Sequence, residues 1–577
     1  MQSGDRIVVL GGRTGRDGVH GATFSSGEMS SEINAQVGSA VQIGAPITEK
    51  KVADVIIQAR DSQLYTAITD CGAGGFSSAI GEMGAETGAS VELEKAPLKY
   101  QGLAPWEIWL SEAQERMILA VPSEKLDALL ELCVIEEVEA SIIGTFTADK
   151  RLTVSYHGQI VADMDMHFLH EGRPARSLEA VWVRNGMDAE TGRELAGPEL
   201  TGRSQGSPLH IDVNAPGASE NIHVEATLAI AQPYANVLLT LLGYPTIASK
   251  ESVVRRYDHE VQGATVLKPL VGKAGNGPGD AAVLQPIQNV GAGLAPARPT
   301  PAQLILATSA PSQPTLDQSI PARAGVILSN GINPLYGKID PYHMAINAVD
   351  EALRNLTAVG GDIERVSILD NFCWGNPTDP IQLGMLVRAV KGCYDAAIGY
   401  GTPFISGKDS LNNEYRSNGE RVPVIPTLLI SAVGVINDAA QTIDMSLKQP
   451  GNLLYQIGLT RNELAGSHYA EILEEPQAST LQETDEAETK YSRGVPLRSP
   501  WGWAGDTQSL INTTVPHVDI KTARITMKTL GAAIRMGLVQ ACHDLSEGGL
   551  AVAAAEMSLA GLLGMTIDLQ QTPHEST

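Results

Sequence analysis

The sequence predicts an α/β chain carrying a tandem duplication, and three observations carry that prediction. Strand-like and helix-like segments alternate between long polar stretches. In two long segments the helix start and stop signals agree with the hydrophobic spacing. A sixteen-residue pattern also occurs twice, as TDCGAGGFSSAIGEMG (69–84) and HDLSEGGLAVAAAEMS (543–558). Six of sixteen positions match: Asp70/Asp544, Gly74/Gly548, Gly75/Gly549, Ala79/Ala553, Glu82/Glu556 and Met83/Met557. Composition alone would match about one.

DRIVVLGG (5–12) reads as a buried strand entering a Gly-rich turn. Each copy of the pattern is preceded by a helix-like run and a short strand, LYTAITD or LVQACHD, and followed by GASVEL (88–93) or GMTIDL (564–569). Further upstream, IVVLGGRTGRDGVHGA has a faint echo in LLYQIGLTRNELAGS (453–467). In the second half, Asp340 caps a helix with Pro341 in its first turn. Met344, Val349, Leu353 and Leu356 form its apolar stripe and Gly360-Gly361 stops it. Asp379-Pro380 opens another helix that closes near Gly401.

Three stretches read as insertions or linkers: 171–220 (Gly, Pro and Ser), 285–322 (proline-rich) and 472–500 (acidic). The expected domains are 1–165, a linker 166–254, a second unit 255–440 holding the proline-rich insertion, and 450–577 holding the acidic one. Copy one runs on to about residue 165, whereas copy two stops soon after Leu569. The duplication logic therefore predicts roughly 70 residues missing from copy two. A duplicated protein would also carry a partner unit ahead of copy one, so a whole first domain is expected to precede Met1.

At 577 residues the chain is too long for one hydrophobic core. Its formal charge of −25 argues against nucleic acid and anionic membrane as partners. Five cysteines without CxxC spacing make neither a disulfide framework nor a zinc knuckle, and a reducing cytoplasm is the expected setting. The start MQSGDRIVVLGG lacks a signal-peptide pattern, and no apolar run reaches membrane-spanning length.

Several motifs point toward phosphate chemistry. In GGRTGRDGVHG (11–21) the spacing is Gly12-x-x-Gly15-x-x-Gly18, which is not a dinucleotide fingerprint. Exposed amides facing a phosphate or a neighbouring domain fit better. SGKDSLNNEY (406–415) fails the P-loop pattern, because Asp409 separates Lys408 from Ser410. Read as a loop, its small residues, cation and hydroxyl suit a phosphorylated ligand, with a plain polar turn as the alternative. Asp70 ends a short apolar strand, where α/β folds place ligands and where magnesium finds hard oxygen donors. Its repeat partner Asp544 reads as a helix cap. Asp370 and Asn371 close another strand; Phe372 and Trp374 beside them read as packing residues. Glu112 and Gln114 precede the strand-like MILAV, as substrate-reading groups or as an exposed face. His157, His167, His170, His223, His259, His343 and His468 show no metal spacing.

Taken in order, GGRTGRDGVHGATFSS, TDCGAGGFSSAIGEMG, LSEAQERM, SNGINPLYGKIDPYHMA, DNFCWGNP, GKDSLNNE and HDLSEGGLAVAAAEM resemble the synthetase subunit of phosphoribosylformylglycinamidine synthase. That family is a tandem duplication of the aminoimidazole ribonucleotide synthetase-like fold, in agreement with the repeat. The resemblance implies that ATP phosphorylates the amide oxygen of formylglycinamide ribonucleotide and that ammonia displaces the phosphate. Ammonia would come from a separate glutaminase subunit, with a small bridging subunit. By resemblance Gln42, Glu112, Ala113, Gln114 and Ser410 contact substrate, Asp370 and Gly407 contact ATP, and Asp70 binds Mg2+. Many members have a metal-binding Asn where Lys408 stands. Lysine cannot ligate magnesium, so that metal site is either lost or replaced by the charge of Lys408. The family's catalytic histidine lies in the first domain, so no catalytic residue is assigned here and the chain is expected to be inactive alone. Two alternatives stand beside this reading. One is a hydrogenase-maturation or selenophosphate-type synthetase, against which the duplication argues. The other is a non-catalytic scaffold that holds nucleotide.

Overall fold

A computed structural model describes residues 1–19, 44–174, 176–182, 234–256, 259–260, 263–286, 323–417, 420–474 and 514–574. Gln42 and most of the three polar stretches lie outside these residues. The described residues divide into two compact units, the first within Met1–Leu178 and Asn412–Pro423, the second within Glu179–Asn289, Ser319–Leu411 and Val424–Thr577.

The first unit is built on a seven-stranded sheet in the order β2-β4-β1-β5-β3-β6-β7. Its strands are β1 (Arg6–Gly11), β2 (Ala67–Asp70), β3 (Ala89–Glu92), β4 (Arg116–Val121), β5 (Ala140–Phe146), β6 (Arg151–Tyr156) and β7 (Gln159–Asp165). Its main helices are α1 (Pro46–Asp61), α2 (Phe76–Met83), α3 (Pro105–Leu110), α4 (Leu126–Ile135) and α5 (Met166–Glu171). The run IVVL is apolar at every position because β1 is covered on both faces. Ile7 and Val9 join a core with Phe76, Ile80 and Ile108, whereas Val8 and Leu10 join one with Val52, Val55, Leu129 and Leu132. β1 is flanked by antiparallel β4 and β5, which satisfies both of its edges.

The second unit carries a six-stranded sheet in the order β14-β13-β17-β12-β11-β8. These strands are β8 (Thr265–Leu267), β11 (Ala281–Leu284), β12 (Gly325–Ile332), β13 (Val366–Trp374), β14 (Phe404–Leu411) and β17 (Thr427–Ile436). A small ribbon pairs β9 (Leu270–Val271) with β10 (Gly277–Pro278), whereas the hairpin of β15 (Glu414–Ser417) and β16 (Glu420–Pro423) belongs to the first unit. The helices are α6 (Pro341–Ala358), α7 (Pro380–Tyr400), α8 (Ile520–Arg535) and α9 (Gly549–Gly561). Both long helices start and stop as their sequence signals predict. The Asp340 carboxylate accepts from Tyr342 N–H and that of Asp379 from Ile381 and Gln382 N–H, and Gly401 closes α7 in the left-handed region. β17 alternates strictly between buried and half-buried residues, so one sheet face packs on α6. Gly331 permits that approach, since a Cβ there would sit 2.0 Å from Ala348 O. Phe372 and Trp374 lie in this core, as expected.

The repeat is visible in the backbone. Gly74 and Gly75 have φ of +79° and +58°, and Gly548 and Gly549 have +78° and +58°. Thr14 N–H bonds Pro97 O at 2.8 Å and Thr460 N–H bonds Pro573 O at 2.9 Å, each beside a parallel bridge. The upstream echo is therefore a true equivalence. Three expectations nevertheless fail. LVQACHD, expected as a short strand, forms none, and neither do LLYQIGL and GMTIDL, although the counterparts of the three are β2, β1 and β3. Leu453 is 78% exposed and its counterpart Ile7 fully buried, because β1 has paired neighbours on both sides and 453–459 has none among the described residues. SGKDSL also proves to be strand rather than loop, because β14 pairs in parallel with β13. Asp370 lies in the middle of β13, which runs on to Trp374, and not at its end.

Candidate functional site

In the first unit, chain topology gathers three of the sequence-predicted groups. The Glu112 carboxylate accepts from Gly74 N–H at 3.2 Å, and Glu112 N–H donates to Asp17 O at 2.8 Å. The Gly-rich turn, the Gly-Gly start of α2 and the Glu112–Gln114 loop thus meet at one place. Glu112 and Ala113 are buried, whereas Gln114 is exposed with its amide Nε2 donating to Glu112 O at 3.2 Å. Gly75 is required here: its φ is positive, and a Cβ would lie 2.0 Å from Ser111 O. Asp70 ends β2 opposite Met117 of β4, one strand from this loop, and it is exposed. An exposed carboxylate is a donor that suits magnesium. Gly72 keeps the space before it open, since a Cβ there would come within 2.6 Å of Asp70 Oδ2.

In the second unit Asp370 lies opposite Gly407 in the β13–β14 register. A side chain at Gly407 would meet Asp370 Oδ1 at 2.0 Å, so the glycine leaves a cradle beside a carboxylate. Burial, and then the charge of Asp409, raise the pKa of Asp370. At the next residue of β14, Lys408 Nζ donates to the buried Ser410 Oγ at 2.5 Å. A carboxylate, a bare backbone and a cation-bound hydroxyl on adjacent strands match what a nucleotide and a phosphate would require.

A second cluster in this unit was not foreseen. Asp280, at the start of β11, accepts from His543 Nδ1 at 2.7 Å and from Asp544 N–H at 3.0 Å. His543 Nε2 lies 3.0 Å from Glu556 Oε2. Arg354 on α6 bridges Asp350 and Asp544, and the Tyr400 hydroxyl donates to Asp350. Asp544 is therefore not the helix cap it was expected to be. Gly548 occupies that position, and the Asp544 carboxylate is drawn inward by the guanidinium. Asp544 and Glu556 are matched positions of the repeat, the signal that could have found them, whereas the neighbouring His543, aligned with Thr69, is not matched. Asp280 and Arg354 carried none.

Asp280, His543 and Asp544 bring ligand-type atoms within 4.8 Å of one another. Both ring nitrogens of His543 are already committed, however, and of the ligand-type atoms of these three residues Asp280 Oδ2 alone is buried without a partner, as is Nε of the neighbouring Arg354. As it stands, the cluster is an ion-paired network in which Arg354 bridges two carboxylates and His543 lies between two others, an arrangement that favours its protonated form. Burial would lower the His543 pKa, but the charge and hydrogen bond of Asp280, then Glu556, outweigh it and push it up to about 10. Burial, followed by the charges of Glu547 and Asp544, pushes Glu351 up to about 8. A raised folded-state pKa contributes stability below the unfolded value and loses it as pH rises through the folded value. Both groups shift in that direction. The melting temperature of the second unit is therefore expected to fall between about pH 4.5 and about 10, the Glu351 part between about 4.5 and about 8 and the His543 part between about 6.5 and about 10. Glu351→Gln should flatten the lower part of a melting-temperature profile against pH; an unchanged profile would count against the burial assigned to Glu351.

The family profile described as "AIR synthase related protein, C-terminal domain" matches residues 2–157 and again 449–576. The corresponding N-terminal domain profile matches 322–436. This chain belongs to the AIR synthase related proteins. Both matches to the AIR synthase C-terminal domain coincide with the two copies of the repeat. Among curated relatives, phosphoribosylformylglycinamidine synthase subunit PurL of Deinococcus radiodurans is 32% identical over 568 residues, covering 98% of this chain and 62% of that protein. The subunit of the same name from Methanothermobacter thermautotrophicus is 31% identical over 575 residues, covering 99% of this chain and 63% of that protein. The chain thus spans somewhat under two thirds of the length of these relatives. A solved structure, T. maritima PurL complexed with FGAR, has a TM-score of 0.50 and 22% identity, covering 77% of this chain and 57% of that one. At that identity the likeness establishes the AIR synthase fold alone. Among the described residues no helix is long and apolar enough to cross a membrane.

Proposed function

We propose that this chain is part of a phosphoribosylformylglycinamidine synthase, a C–N ligase of purine biosynthesis. The observation that carries this reading is the 32% identity to a PurL subunit over 98% of the chain, with the seven motifs in order. In the proposed reaction the γ-phosphoryl group of ATP passes to the amide oxygen of formylglycinamide ribonucleotide. That oxygen becomes a leaving group, ammonia attacks the carbon, and phosphate departs to leave the amidine. A glutaminase subunit and a small bridging subunit would deliver the ammonia, in the cytoplasm.

On this reading Glu112, Ala113, Gln114 and Gln42 of the first unit contact the ribonucleotide, and Asp70 holds magnesium. In the second unit Asp370 and Gly407 receive the nucleotide and Ser410 contacts substrate. The magnesium would offset charge on the transferring phosphoryl group. Lys408 Nζ, bonded to Ser410 Oγ, supplies a fixed cation beside that hydroxyl. The domains expected from sequence, 1–165, 255–440 and 450–577 about the linker 166–254, are carried forward as the working division. Calorimetric titration of the purified chain with formylglycinamide ribonucleotide, and separately with magnesium-ADP, tests the reading. Binding of both is expected, with Glu112→Ala weakening only the first. A chain that binds neither would sink it.

A further inference from the structure

Arg116, the first residue of β4, lies in the LSEAQERM motif but was given no role there. Resting on the reading above, we infer that Arg116 is the positioning residue that holds the substrate loop. Its side chain is buried, at 3% exposure for the residue. Nε donates to Ala113 O at 2.9 Å and Nη2 to Ser111 O, so two arms of the fork bracket Glu112. Nη1 donates to Thr14 Oγ1 at 3.0 Å, and Thr14 lies in the Gly-rich turn and is itself fully buried. The guanidinium carbon sits 4.7 Å from the centroid of the Phe76 ring, the first residue of α2 after Gly74-Gly75. Through its backbone, Arg116 O accepts Cys71 N–H at 3.1 Å, immediately beyond Asp70.

One planar cation therefore ties together the turn, the helix start and the Glu112–Gln114 loop, and the backbone carbonyl of the same residue adds the end of β2. All three of its hydrogen bonds go to neutral oxygens. Its role is thus directional, which is what a rigid fork provides and a lysine ammonium does not. Burial lowers the Arg116 pKa, consistent with a cation kept for its geometry.

The test compares wild type with Arg116→Lys, which keeps the charge and loses the fork. Formylglycinamide ribonucleotide affinity is expected to fall at least tenfold, magnesium-ADP affinity to stay unchanged, and the Gly74 and Glu112 amides to exchange with solvent at least tenfold faster. Amides of β1 should exchange as before. A residue that only supports the fold would lower the melting temperature without separating the two ligands. Unchanged exchange at Gly74 and Glu112, or unchanged ribonucleotide affinity, overturns the inference. If the wild-type chain binds no ribonucleotide, the substrate assignment falls, and amide exchange still decides the role of Arg116. Should Arg116→Lys fail to fold, Thr14→Val removes one bond of the fork; faster exchange at Glu112 is expected there, and none counts against the proposal.

Discussion

Replacing Arg354 with methionine is expected to destabilise the second unit by about 3 kcal/mol, the lower end for a broken buried ion pair. The Asp350 and Asp544 side chains are each 5% exposed, and Arg354 reaches both. Burial works against the arginine's charge, but Asp350, Asp544 and Glu351 more than offset it and raise its pKa. Removing the cation leaves two desolvated carboxylates facing each other, with Tyr400 bonded to one of them. The lower end of the range applies because the arginine itself is 31% exposed and water can partly replace it. Urea unfolding of Arg354→Met and of the double variant Arg354→Met/Asp544→Asn checks this. The double variant should recover part of the loss, since one unpaired charge has gone. A single variant within 0.5 kcal/mol of wild type, a margin typical of uncoupled surface changes, would mean the network carries no stability.

Gly407→Ala is expected to weaken magnesium-ADP binding at least tenfold, about 1.4 kcal/mol, while leaving the melting temperature nearly unchanged. The added Cβ would stand 2.0 Å from Asp370 Oδ1 and 2.6 Å from its Cγ, so the carboxylate must swing away. Gly407 is exposed on the edge strand β14, where that movement meets little packing. Equal nucleotide affinity in the variant would remove Asp370 and Gly407 from the nucleotide site. A large loss of stability would instead make the Asp370–Gly407 contact a packing feature.

Much of the local architecture was legible in the residues. α6 and α7 begin at Asp340 and Asp379 and end at the glycines that their sequences mark, because caps act within a few residues of themselves. The Gly-Gly starts of α2 and α9 share their backbone angles because positive φ admits few residues other than glycine. The strand character of LVQACHD (538–544) was misread for the opposite reason. An apolar run becomes a strand only when neighbours satisfy its edges, and those neighbours are distant in sequence. SGKDSL was misread as a loop because its polar residues hide a strand whose pairing partner lies more than thirty residues upstream.

The sequence by itself determined the duplication and the helix boundaries, and it singled out Asp70 and Glu112 in the first unit and Asp370 and Gly407 in the second, since each rests on short-range patterns or a repeated motif. Only the tertiary structure decided that Arg116 joins four separate segments, that Asp544 turns inward to Arg354, and that His543 is held between Asp280 and Glu556. The reason is that burial and charge pairing depend on which distant segments the sheets bring side by side. A carboxylate has no fixed role until its neighbours are known.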